Sequence, residues 1–259
     1  AGTRNVQVSN VAPTANVSGA ASVAEGSVYT LSVGAVTDPG QDTRTGYSIN
    51  WGDGNSSSFT AAQWAGAAGS FQHTYADGAL NATITVSTTD EDGTHVLGTQ
   101  AVSVTNVAPT LSLSGAASSN EGSSYALSIS ATDPAADADT LSYSINWGDG
   151  SAVQAVTAVQ LAAAGGVVQH VYSDDEDGPV NATARSISVT VNDGDGGSDT
   201  EAQTVTVNNV APAIALGGAS GATAGHTFTL RLASRSAPGP DTARIWFIHW
   251  GDGSTQTVG

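Results

Sequence analysis

One string of four residues, Trp-Gly-Asp-Gly, closes three segments of this chain, and its spacing constrains the fold more than any other feature. Ile-Asn-Trp-Gly-Asp-Gly occupies residues 49–54 and again 145–150, and Ile-His-Trp-Gly-Asp-Gly occupies 248–253. The tryptophans Trp51, Trp147 and Trp250 are therefore 96 and 103 residues apart, and a second marker, Asn-Val-Ala-Pro at Asn10, Asn106 and Asn209, keeps the same two intervals. Two independent markers in one register define a tandem array. The repeats run 10–105, 106–208 and 209–259, with 1–9 expected to be the last strand of a preceding repeat. That last expectation rests on Asn-Val-Gln-Val-Ser at 5–9 matching Ala-Val-Ser-Val-Thr at 101–105.

Within a repeat, apolar and small polar side chains alternate. Residues 125–131, 141–147, 185–191 and 203–207 all follow a period of two, which is the pattern of half-buried strands. Gly, Pro, Asp and Asn clusters separate them, and only Ala155–Ala164 suggests a turn of helix. About seven strands in about 100 residues predict an all-β, immunoglobulin-like two-sheet sandwich in each repeat. Each final strand runs straight into Asn-Val-Ala-Pro without a Gly/Ser spacer, so neighbouring repeats are expected to be stiffly coupled. The third repeat stops just past its Trp-Gly-Asp-Gly, so it is expected to be a piece of a longer protein or to be completed by strands from elsewhere.

The Trp-Gly-Asp-Gly turn, His-Thr-Tyr at 73–75 and His-Val-Tyr at 170–172, each leading to a strand that ends in an acidic, Gly-rich loop, resemble the polycystic-kidney-disease (PKD) domain family. The Glu-Gly and Thr-Asp-Pro elements are also similar to cadherin-like repeats of large bacterial surface proteins. The family's usual Trp-Asp-Phe-Gly-Asp-Gly is shortened here. Both resemblances imply immunoglobulin-like domains serving as spacers, adhesive stalks or accessory modules of secreted proteins, many of which bind calcium.

Charge narrows the partners. Six basic and 23 acidic residues give a formal charge of −17, which opposes nucleic acid and anionic membrane surfaces and favours hard cations such as calcium. There is no Cys to form disulfides. No apolar run reaches the roughly 18 residues of a membrane span. The N-terminus carries no basic-then-apolar signal, so any targeting or anchoring segment is expected outside these residues. The composition suits exported, extracellular bacterial β-structure.

Strand counting locates the acids that matter. The loop after the second strand and the final hairpin both return to the pole where Asn-Val-Ala-Pro enters. In repeat one this pole holds Asn10, Asp38, Asp42, Asp90 and Asp92; in repeat two it holds Asn106, Asp133, Asp137, Asp139, Asp193 and Asp195. Carboxylates converging without Lys or Arg repel one another unless a cation sits among them. Glu25 and Glu121, each before a glycine, fall at the opposite pole, facing the next repeat. Either they are solvated turns, or Glu25 joins Asn106 and the repeat-two aspartates in an interdomain calcium site of the kind cadherin-like arrays hold.

Other residues read as structural. Asp53, Asp149 and Asp252 suit tight turns, the three tryptophans suit sandwich cores, His73 and His170 share one strand position, and Asp174–Asp177 reads as a solvated loop. In repeat three, Ala224 and Ala237 replace Glu25 and Asp38, and Arg231, Arg235 and Arg244 add positive charge, so a calcium site there is expected to be weak or absent. No nucleophile elbow, zincin helix or phosphate loop is present, and no enzyme activity is expected. The expected role is a calcium-stiffened stalk or adhesive segment contacting its neighbouring repeats. The alternatives are a carbohydrate- or protein-binding accessory module, for which Trp64 with Tyr47 is the best stacking surface, and a filament subunit completed by another chain.

Overall fold

The computed structural model describes residues 3–7, 9–40, 42–133, 140–175, 182–236, 238–239 and 245–258, with backbone alone at 233–235. In the first repeat the strands are β1 (Val17–Gly19), β2 (Ser22–Ala24), β3 (Val28–Val33), β4 (Gly46–Asn50), β5 (Ser56–Thr60), β6 (Ser70–Thr74), β7 (Leu80–Asp90) and β8 (Gly93–Thr105), with a short helix α1 (Ala61–Gly66) before β6. They form two sheets, β1-β3-β6 and β2-β8-β7-β4-β5. The first strand is split between them: β1 pairs antiparallel with β3, and β2 then crosses to run parallel with β8. Alternation decides which side chains enter the space between the sheets. Tyr29, Leu31 and Val33 of β3 are buried, as are Ile84 and Val86 of β7, while their neighbours along β3 are exposed.

The second repeat follows the same plan. Its elements are β9 (Thr110–Gly115), β10 (Ser118–Asn120), β11 (Ser124–Thr132), β12 (Ser142–Asn146), β13 (Gln154–Thr157), α2 (Ala158–Ala163), β14 (Val167–Val171), β15 (Ala182–Asn192) and β16 (Ser198–Asn208). The sheets are β14-β11-β9 and β10-β16-β15-β12-β13. The third repeat contributes two hairpins, β17 (Ala213–Gly218) with β18 (Leu230–Ser236) and β19 (Trp246–His249) with β20 (Thr255–Val258). The chain is thus all-β, in tandem immunoglobulin-like sandwiches. Both helices begin at a capping box, Thr60 with Gln63 and Thr157 with Gln160, each threonine hydroxyl taking the amide of the glutamine three residues on.

The structure explains why Trp-Gly-Asp-Gly and His-x-Tyr occur together. Asp149 Oδ2 lies 2.7 Å from His170 Nε2, the imidazole stacks on Trp147 at 4.5 Å, and the Tyr172 hydroxyl donates to the Trp147 carbonyl at 3.2 Å. The same clamp joins Asp53, His73, Trp51 and Tyr75. The first glycine of the turn, at φ +76° in Gly148, also lies where a Cβ would strike the backbone of Ser186. Burial raises the Asp149 carboxyl, but hydrogen bonds from Ser151 and His170 outweigh it and hold it at about 2 against an ordinary 3.8. A carboxyl lowered on folding contributes stability above its ordinary value and loses it as the pH falls through the lowered one. Melting of the second repeat is therefore expected to weaken as pH drops from about 4 to about 2, and Asp149→Asn is expected to flatten that decline in calorimetric scans.

By compactness the chain divides into two units. One comprises residues 1–110, 132–142 and 191–199; the other comprises 111–131, 143–190 and 200–259. The first thus gathers the whole of repeat one, the following linker and two loops of repeat two. Among the described residues, 3–7 carry no strand. No helix among the described residues is long and apolar enough to cross a membrane, which says nothing of a β-barrel.

Candidate metal centre

The site of interest lies within the first compact unit, where β8 ends and the linker begins. Glu25 follows β2, which is held beside β8 by the parallel pairing of Ala24 with Thr105. Its own amide donates to the Thr105 carbonyl at 3.0 Å, and the next amide, of Gly26, donates to Tyr75. The side chain is thereby aimed at the linker, where Glu25 Oε1 accepts the Val107 amide at 2.7 Å. Only 2% of Glu25 is exposed. It is no solvated turn but a buried carboxylate closing the exit of its own repeat.

The loops of repeat two meet it there. Asp193, 1% exposed, accepts the amides of Asp195 and Gly197 at Oδ1, each at 2.9 Å, and the Asn106 side-chain amide at Oδ2, at 2.8 Å. Burial raises the Asp193 carboxyl, but these bonds outweigh burial and leave it below the ordinary carboxylate range. Asp133 has no such help. Burial first, then the charges of Asp193 and Glu25, push its carboxyl up. Thr140 stands seven residues before Trp147, where repeat one has Arg44, and bonds the Asp193 carbonyl instead.

Four oxygens of these residues are shielded from solvent and have no hydrogen-bond partner: Glu25 Oε2, Asn106 Oδ1 and both carboxylate oxygens of Asp133. Space for them is kept by glycine. A Cβ on Gly78 would collide with Glu25 Oε2 and come within 2.8 Å of Asn106, and one on Gly197 would collide with Asp193. Leaving one buried polar group unsatisfied costs about 1–3 kcal/mol, so four together point to a missing partner. Oxygens alone, from carboxylates and an amide, make a hard donor set that fits calcium.

The other sequence candidates are distributed differently. At the entry pole of repeat one, Asn10, Asp42 and Asp92 line one shallow cleft, and Asp90 accepts the amides of Asp92 and Gly93. Burial and then Asp38, Glu91, Asp92 and Asp90 raise the Asp42 carboxyl. Here the expectation of acids without basic neighbours is overturned, because Arg44 lies 4.0 Å from Asp38 and His95 lies 3.3 Å from Asp90. Arg44 comes from the loop itself, two residues before β4, and His95 from β8. Asp195 is exposed and brings only its backbone amide; Asp137 and Asp139 lie outside the described residues. Glu121 repeats the part of Glu25: 1% exposed, it accepts the Val210 amide at 2.8 Å.

Two further expectations change. Asp175, read from sequence as part of a solvated run, is 2% exposed; it packs at the pole occupied by Glu121, a loop contact that no spacing reveals. The Trp64 ring, offered as a sugar platform, stacks on Tyr47 at 4.3 Å and lies at 4.3 Å against Phe71. Its faces are spent on its own repeat.

No family model and no curated protein matches the sequence. Among solved structures, the chain is similar to the three N-terminal domains of the bacteriophage RB49 Highly Immunogenic Outer Capsid protein (Hoc), at 10% identity over 96% of this chain and 79% of that one, with a TM-score of 0.32. It is also similar to extracellular domains 3–5 of Drosophila OTK, at 12% identity and a TM-score of 0.29. A third similarity is to the Yersinia pseudotuberculosis adhesin InvE, at 15% identity and a TM-score of 0.30. In both of these cases 76% of this chain is covered and the match spans 59% of the other. Likenesses at this level carry no functional inference.

Proposed function

We propose that this chain is a structural and adhesive segment of an extracellular, PKD- or cadherin-like array, with repeats at 10–105, 106–208 and 209–259, in which calcium closes the junction between repeats. The single observation that carries the reading is the set of buried, unpartnered oxygens on Glu25, Asn106 and Asp133 beside Asp193. These residues come from the end of one repeat, the linker and two loops of the next. A cation held among them ties the linker to both and offsets the burial and, after it, the repulsion that raise Asp133. The role is mechanical rather than catalytic. Each His-Asp pair is occupied in a turn, with its imidazole flat against tryptophan. Neighbouring repeats are the first partners, and an adhesive glycan or protein ligand is a further one.

Calorimetric melting with calcium and with chelator tests this. Calcium at about 100 times its dissociation constant is expected to add about 2.7 kcal/mol per site, raising the transition of the segment that contains the junction. A transition that does not move between the two conditions overturns the reading.

A further inference from the structure

We propose a second cation site at Glu121, Asp174 and Asp175, built wholly from repeat two. One carboxylate oxygen from each of the three lies within 4.8 Å of the others, a separation that one ion with oxygen ligands at about 2.3–2.6 Å spans. Glu121 supplies the independent observation. Its Oε1 is used by the Val210 amide, while Oε2, on a side chain 1% exposed, has no hydrogen-bond partner. An oxygen so placed is directed at a ligand rather than at water. Asp174 Oδ1 is likewise shielded and unpartnered.

Comparison with the first junction shows what the site replaces. Counting from the clamp tyrosines, Asp174 and Asp175 stand where repeat one has Asp77 and Gly78. Gly78 leaves room for Glu25 and Asn106, so the acids there arrive from the following repeat. At Glu121 the following repeat brings a glycine instead: a Cβ on Gly239 would come 2.7 Å from Glu121 Oε2. Asp175 fills the place of Gly78 and restores the charge from the near side. The site extends the junction-calcium reading, yet shares no residue with Glu25, Asn106, Asp133 and Asp193, so each stands or falls alone.

The test counts calcium bound to the full chain by equilibrium dialysis, for the wild type, Asp174→Asn/Asp175→Asn and Asp133→Asn. The double variant is expected to bind one ion fewer than the wild type and to keep the ion sensitive to Asp133→Asn. An unchanged count in the double variant overturns the second site, whereas an unchanged count in Asp133→Asn counts against the first. Should the double variant not fold, substoichiometric Mn²⁺ added to the wild type decides. Broadening of the amide resonances of Glu121, Asp174 and Asp175 supports the site, and sharp resonances overturn it.

Discussion

Replacing Trp147 by alanine is expected to cost about 3–5 kcal/mol, and the same change at Trp51 as much, while Trp250→Ala costs less than about 1 kcal/mol. All three residues occupy the same register position, so the difference comes from surroundings alone. Trp147 is fully buried; its indole donates to Gln154 at 3.0 Å, one face lies on His170 and its carbonyl takes the Tyr172 hydroxyl. Truncation removes the ring and leaves His170 and Gln154 without their partner. Trp51 is held the same way by Ser57, His73 and Tyr75. Trp250 is 37% exposed and, among the described residues, its ring meets only Phe228, edge-on. Calorimetry that resolves the transitions of a multi-repeat chain measures each loss separately. Equal losses at the three positions would contradict the clamp as the source of the stability.

The strands were legible because they depend on short-range rules. Period-two alternation set the buried faces of β11, β12, β15 and β16. The acidic pole of repeat two was legible for the same reason, since strand counting returns Asp133 and Asp193 to Asn106. What escaped were contacts made by side chains from separate loops. Nothing local distinguishes buried Asp175 from the acids around it; only its meeting with Glu121 does. Arg44 sits on the strand side of an acidic loop, and its 4.0 Å approach to Asp38 depends on how the loop folds back. Trp64 has the look of a binding aromatic because the sequence does not show that Tyr47 and Phe71 cover it. The His-Asp clamp was legible as two repeated motifs but not as one object, because its members are about 20 residues apart and meet only across the sandwich.

Asp133→Asn is expected to change stability with opposite signs in the presence and absence of calcium, and this crossing separates a metal centre from a merely acidic corner. Burial, with Asp193 and Glu25 beyond it, raises the Asp133 carboxyl above its ordinary 3.8. A carboxyl raised on folding favours the folded state below its ordinary value and opposes it as the pH rises through the raised one. At neutral pH without calcium, the ionised side chain therefore works against folding. Asparagine removes that charge at nearly constant shape. The chelated variant should melt above the chelated wild type. With calcium the order reverses, because the variant gives up a charged ligand and with it most of the about 2.7 kcal/mol expected at 100 times the dissociation constant. The wild type should then melt higher. Four calorimetric scans measure both differences, and a variant that melts higher in both conditions would mean that the corner holds protons rather than calcium.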